Sequence, residues 1–145
     1  MATHGQADIE IKATPAEVMD ALAAIEDMPK WSGPHRSATV ESRHEDGRPN
    51  RVRMVISVVG VTDEQVVEYT WNGNESVKWS LVESTQQKTQ EGGYVLTPTA
   101  NGTKADFDLT IDLKIPLPGF IVKKAQKSGI EVATKGLKKW IEGGK

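Results

Sequence analysis

The chain has 145 residues, 37% of them hydrophobic and 26% charged, with a net charge of −2 and no cysteine. Those values fit one soluble globular domain spanning residues 1–145, and they exclude disulfides, thiolate nucleophiles and thiolate metal sites. No stretch approaches the roughly 20 apolar residues of a membrane-spanning helix, and no secretory signal opens the chain, so a cytoplasmic location is expected.

In chain order, Ala7-Asp8-Ile9-Glu10-Ile11-Lys12 alternates apolar and polar residues and predicts a first strand with one buried face. Thr14-Pro15-Ala16-Glu17 supplies a capping hydroxyl, a proline at the first helical position and an acid in the first turn, so a helix starts there. Asp27-Met28-Pro29 interrupts the apolar run Val18, Met19, Leu22, Ile25 before Trp31, which predicts two short helices rather than one.

From about His35 to Leu113 the pattern is strand and turn. Arg36 to Arg43 predicts one strand, and a polar turn over Glu45–Asn50 leads to a second with Val52, Met54, Ile56 and Val58 on one face. Gly60 breaks that pattern. Gln65, Val67, Tyr69 and Trp71 share a face of the next strand, Asn72-Gly73-Asn74 predicts a tight hairpin turn, and Val77, Trp79 and Leu81 continue beyond it. Gln86 to Thr97 is a polar strand in which Gly92-Gly93 predicts a bulge or bend. The last strand, Thr103 to Leu113, alternates along its whole length.

Ile115-Pro116-Leu117-Pro118-Gly119 is a corner before a long helix from about Phe120 to Ile141. Val122, Ala125, Gly129, Val132, Ala133, Gly136 and Trp140 recur on one face of that helix. Gly129 and Gly136 each cost about 1 kcal/mol of helix propensity against alanine, so their surroundings must compensate. From Lys114 onward there are eight lysines against Glu131 and Glu142. Such a basic helix can meet an anionic membrane surface or a partner protein, or be the solvated face of an amphipathic helix.

The expected architecture is α+β: a curved seven-stranded antiparallel sheet around the C-terminal helix, with two short helices after strand one. Bending at Gly60 and Gly92-Gly93 would curl the sheet round the helix and enclose volume between them. The element order, Ala13-Thr14-Pro15-Ala16-Glu17-Val18, Asp27-Met28-Pro29-Lys30-Trp31 and the apolar C-terminal helix resemble the polyketide cyclase/dehydrase and START-like (SRPBCC) superfamily, in particular its small stand-alone actinobacterial-type members. The resemblance spans nearly the whole chain. It implies a helix-grip fold with a tunnel for lipids, polyketides, sterols or similar molecules. It leaves the chemistry open, since that superfamily mixes enzymes, carriers and pure binding proteins.

The candidate ligand-lining residues are aromatic and thioether side chains able to bury large areas, namely Met19, Trp31, Met54, Tyr69, Trp71, Trp79 and Phe107. Leu109 from the last strand and Val132 and Gly136 from the helix join them. Each of these has plain core packing as its competing reading. Tyr69 carries a hydroxyl that can orient a ligand oxygen, and His35 can serve as a polar anchor or proton carrier near the cavity mouth.

No histidine has a second histidine or a carboxylate at helical metal-site spacing, so no metal is expected, and no cofactor is implied. Asp106, Asp108 and Asp112 alternate on a strand opposite Phe107 and are expected to face water. The first functional expectation is binding or carriage of a small hydrophobic ligand. The alternatives are a polyketide cyclase or dehydratase, drawing on Arg36, His35, Glu68 or Tyr69, and an interaction module acting through the basic helix. No nucleic-acid partner is expected, and contact with a membrane is limited to its surface.

Overall fold

The computed structural model describes residues 2–143. Met1, and Lys145 of the lysine-rich segment, lie outside it. Strands β1 (Ala2–Ile11), β2 (His35–Val40), β3 (Arg51–Val58), β4 (Val61–Asn72), β5 (Ser76–Ser84), β6 (Gln87–Thr99) and β7 (Gly102–Leu113) form one antiparallel sheet in the order β1-β7-β6-β5-β4-β3-β2. Helices α1 (Pro15–Ala23) and α2 (Met28–Trp31) follow β1, with a 3₁₀ turn at Ile25–Asp27 between them. The C-terminal helix runs as α3 (Gly119–Glu131), a π-helical turn (Val132–Gly136) and α4 (Leu137–Glu142). No helix among the described residues is long and apolar enough to cross a membrane.

Local chemistry sets the helix starts. Thr14 Oγ1 accepts from Glu17 N at 3.2 Å while Glu17 Oε1 accepts from Thr14 N at 2.9 Å, a reciprocal cap for α1. Val18, Met19 and Leu22 of α1 are buried against the sheet.

Several boundaries differ from the sequence reading. Strand β1 begins at Ala2 rather than Ala7, because its first residues pair with β7 from Ala2↔Asp112 onward. Pairing with a long partner extends a strand beyond its own alternation. Strand β2 ends at Val40, and Arg43 joins only through a single bridge to Pro49.

The glycines expected to bend the sheet do other work. Gly60 (φ +78°) and Val59 (φ +51°) form the β3–β4 hairpin turn. Gly92 and Gly93 keep unbroken register with both neighbouring strands. Register shifts occur instead at His35/Ser37, Val66/Val67 and Gln87/Thr89. Such irregularities bend strands and increase their twist, and they account for the curvature here.

The terminal helix lies on the sheet unevenly. Ala133, Thr134 and Leu137 are buried, whereas α3 buries no residue. Three bonds hold the far half down: the Tyr94 hydroxyl donates to the Ala133 carbonyl at 2.8 Å, Lys138 Nζ donates to the Glu10 carbonyl at 2.8 Å, and the Lys12 amide donates to Glu142 Oε2 at 2.8 Å. Gly136 faces Trp31, whose carbonyl lies 3.5 Å from where a Cβ would stand, an ordinary contact distance. Replacing Tyr94 with phenylalanine removes the buried anchor, so Tyr94→Phe should lose about 1–2 kcal/mol, read from urea unfolding midpoints; an unchanged midpoint would remove this bond as the clamp.

Candidate functional site

Because α3 stands off the sheet, a partly enclosed cavity of about 300 Å³ remains between them. Its volume lies at the lower end of the range for small-molecule sites, ~300–1,000 Å³. The floor is a run of aromatic rings. Tyr69 stacks on Trp71 at 5.5 Å, and Trp79 lies 5.6 Å from Tyr69, 6.0 Å from Tyr94 and 6.3 Å from Phe107. Offset and tilted pairs at these separations are mutually attractive, which fixes the floor before any ligand arrives. Met54 and Leu109 line the sides, and Gly129 and Val132 line the helix side.

Of the residues expected on the wall, Trp31, His35, Met54, Tyr69, Trp71, Trp79, Phe107, Leu109 and Val132 are there. Met19 is not. It is fully buried in the core under α1, where Leu22, three residues further on, reaches the cavity instead. Gly136 is also absent from the wall, since it faces Trp31. Two groups considered for catalysis point elsewhere: Arg36 is exposed, and Glu68 pairs with Arg51 at 2.9 Å away from the wall. Asp108 meets His4 at 2.9 Å on the exposed face, as the alternation of β7 implied.

One end of the cavity is polar, which the sequence reading did not see. Asp63, Gln65, Gln87 and Gln90 are all buried and all line the wall. Asp63 Oδ1 accepts from the Ser84 hydroxyl (2.6 Å), the Thr85 amide and hydroxyl (3.1 and 2.9 Å) and the Gln86 amide (3.1 Å), while Oδ2 accepts from Gln87 Nε2 at 2.7 Å. At the other end of the chain of bonds, Trp79 Nε1 donates to Gln90 Oε1 at 2.8 Å.

An indole N–H can only donate, and an ionised carboxylate can only accept, so these two ends fix every amide between them. Gln90 Nε2 therefore donates to Gln87 Oε1 (2.7 Å) and Gln65 Oε1 (3.1 Å), and Gln87 Nε2 donates to Gln65 Oε1 (2.8 Å). Gln65 Nε2 is left with a single weak contact to Met54 Sδ at 3.7 Å, so one of its N–H groups has no partner in this network.

One physical feature hid this set. The register shift at Gln87/Thr89 breaks strict alternation, so Gln87 and Gln90, three residues apart, both face inward. Tyr94 was lost in the same polar strand. The available signal was Gln65 itself, a glutamine on a face otherwise made of Val67, Tyr69 and Trp71.

Glycine at 92 makes the ladder possible. A Cβ there would lie 2.5 Å from the Trp79 indole, which rests against the bare strand and turns its N–H toward Gln90. Near α2, Ser32 Oγ and His35 Nδ1 are 2.5 Å apart. Burial disfavours the imidazolium and pushes His35 down to about 4. Burial also raises the Tyr69 and Tyr94 phenols above their ordinary value. The Tyr69 hydroxyl has no hydrogen-bond partner among the described residues. Trp31 Nε1 is the one sealed, unpaired side-chain donor among the described residues, so the Tyr69 hydroxyl retains open space.

With this geometry in place, residues 2–142 match the family described as polyketide cyclase / dehydrase and lipid transport, and the chain belongs to that family. Its fold is that of a START superfamily protein from Mycobacterium smegmatis, at 22% identity and a TM-score of 0.87 over 98% of this chain and 99% of that one. A protein from Thermus thermophilus superposes with a TM-score of 0.83 at 24% identity, covering 98% and 99% of the two chains. Zhui aromatase/cyclase from Streptomyces sp. R1128 does so at 0.76 and 11% identity, over 98% and 94%. At these identities the likeness is one of fold. No curated protein matches the chain.

Two outcomes follow from the wall. Gly92→Ala should displace the Trp79 indole from Gln90 and destabilise the fold by about 1–3 kcal/mol, seen as a lower urea midpoint together with altered tryptophan fluorescence. His35 stays neutral in the folded chain below the pH at which it protonates in the unfolded chain. Its contribution is therefore complete above pH ~6.5 and disappears as pH falls through about 4. Thermal melts should accordingly lose less stability between pH 7 and pH 4 in His35→Gln than in the wild type, by at most about 3 kcal/mol.

Proposed function

We propose that this protein binds and carries a small hydrophobic molecule in the cavity between the sheet and α3. The observation that carries the reading is the standing-off of α3 over an aromatic floor, which leaves about 300 Å³ of apolar-walled space. The family's description, which joins lipid transport to cyclase and dehydrase chemistry, supports both holding and turnover.

The acid–base groups favour holding. General acid–base catalysis is most effective when the group titrates near the working pH. His35 is pushed down and Tyr69 is pushed up, so both are driven away from neutrality. A cyclase acting on a polyketide-like substrate, with these two moving protons, is the second reading.

Gly129 separates binding from folding. A Cβ at this helical position meets nothing within 4 Å, and the residue lines the cavity. Gly129→Leu should therefore keep or raise stability by up to about 1 kcal/mol while filling the site. Titration with the uncharged fluorescent probe N-phenyl-1-naphthylamine should give saturable binding to the wild type and about tenfold weaker binding to the variant. Equal affinity in the two proteins, or a wild type that neither binds the probe nor carries an apolar molecule into native mass spectrometry, would defeat the carrier reading.

A further inference from the structure

The charges around the cavity discriminate among apolar ligands. Among the described residues that line it there is no lysine or arginine. Near its polar end Lys114 Nζ donates to the Ser84 carbonyl at 2.6 Å, and Arg53 pairs with Glu41 and Glu64 at 2.8 and 2.9 Å, while Lys123, Lys124 and Lys127 of α3 lie on the exposed side of that helix. His35 is the one basic group among the described residues of the wall, and it is uncharged at neutral pH. The first turn of α3, the other local source of unpaired N–H groups, is exposed at Gly119 and Phe120.

The one carboxylate on the wall, Asp63, has both oxygens occupied by protein donors. It contributes negative potential but offers little to a ligand. An anionic head group brought to this polar end would lose its water and find no cation among the described residues of the wall. The spare N–H of Gln65, by contrast, has nothing to donate to except a thioether. An amide held in place by its own carbonyl needs an acceptor, and a ligand oxygen supplies one without bringing charge.

We infer that the cavity selects uncharged carbonyl compounds on an apolar skeleton, with the ligand oxygen accepting from Gln65 Nε2, and that it rejects carboxylates of the same shape. This rests on the carrier reading above and narrows it to a ligand class. Fatty acids in their ionised form fall outside that class. Ketones, quinone-like carbonyls and neutral amides fall within it.

The test uses a matched pair on the full chain at pH 7.5. 2-Acetylnaphthalene and 2-naphthoate have the same ring system and nearly the same outline but differ by one charge. In competition against N-phenyl-1-naphthylamine the ketone should bind about tenfold or more tightly than the carboxylate. In Gln65→Met the ketone should weaken by about three- to tenfold while 2-ethylnaphthalene, which has no oxygen, keeps its affinity. If Gln65→Met does not fold, the ketone-to-carboxylate ratio on the wild type decides alone. A carboxylate that binds as well as the ketone, or a ketone that fails to compete although the probe binds, overturns the inference and leaves the carrier reading standing. Failure of the probe itself to bind overturns both.

Discussion

The structure depends on one helix being fastened more firmly at one end than at the other. Tyr94 and Lys138 tie the far half of the C-terminal helix to backbone carbonyls at 2.8 Å, and Leu137 is fully buried there. The half formed by α3 buries no residue and is held by less. Its tie to the sheet is Gln126 Nε2 donating to the His4 carbonyl at 2.7 Å, beside Gly5, where a Cβ would come within 2.9 Å of Ile130. A fully packed helix would gain more apolar burial. The asymmetry trades part of that gain for space, and the packed half of the fold must carry the stability.

Within that space, the buried amides are costly unless every one is matched. Each unmatched buried donor or acceptor costs ~1–3 kcal/mol. The ladder from the Trp79 indole to Asp63 meets that demand everywhere but at one N–H of Gln65 by running in a single direction, with one group that can only donate at its head and one that can only accept at its foot. It is rigid for the same reason, because turning any one amide would set donor against donor. A strand with a side chain at Gly92 has no room for the indole that starts the sequence of bonds.

Much of this was legible from residue order. The capped start at Thr14, the seven strands, the corner at 115–119 and the long terminal helix follow from alternation, helical spacing and turn chemistry, which are local properties. The aromatic wall was legible too, because Tyr69, Trp71, Trp79 and Phe107 sit on faces that simple alternation assigns to the interior. What could not be read depends on distant pairing. Met19 and Leu22 both sit on the inward side of α1, and only the way that helix is seated on the sheet decides which one meets the cavity. The roles of Gly60 and Gly92 turned on whether a neighbour across the sheet needed a turn or bare backbone. The polar end was concealed because a one-residue slip in β6 disguised the spacing of Gln87 and Gln90.

The π-helical turn at Val132–Gly136 sits where the fastened and free parts of the helix meet. Relative to a regular α-helix it holds one surplus residue, and each residue advances the helix by about 100°. The wide turn absorbs that surplus, so the helical spacing of the sequence slips by one residue across it while the roof keeps its seat over the floor. Removing a single residue in this stretch would let the turn close into regular α-helix and leave Gly129 facing the same space, without altering any strand. A chain shorter by that one residue can thereby present the same ceiling, and an alignment that places no gap here would match residues that never face the same molecule.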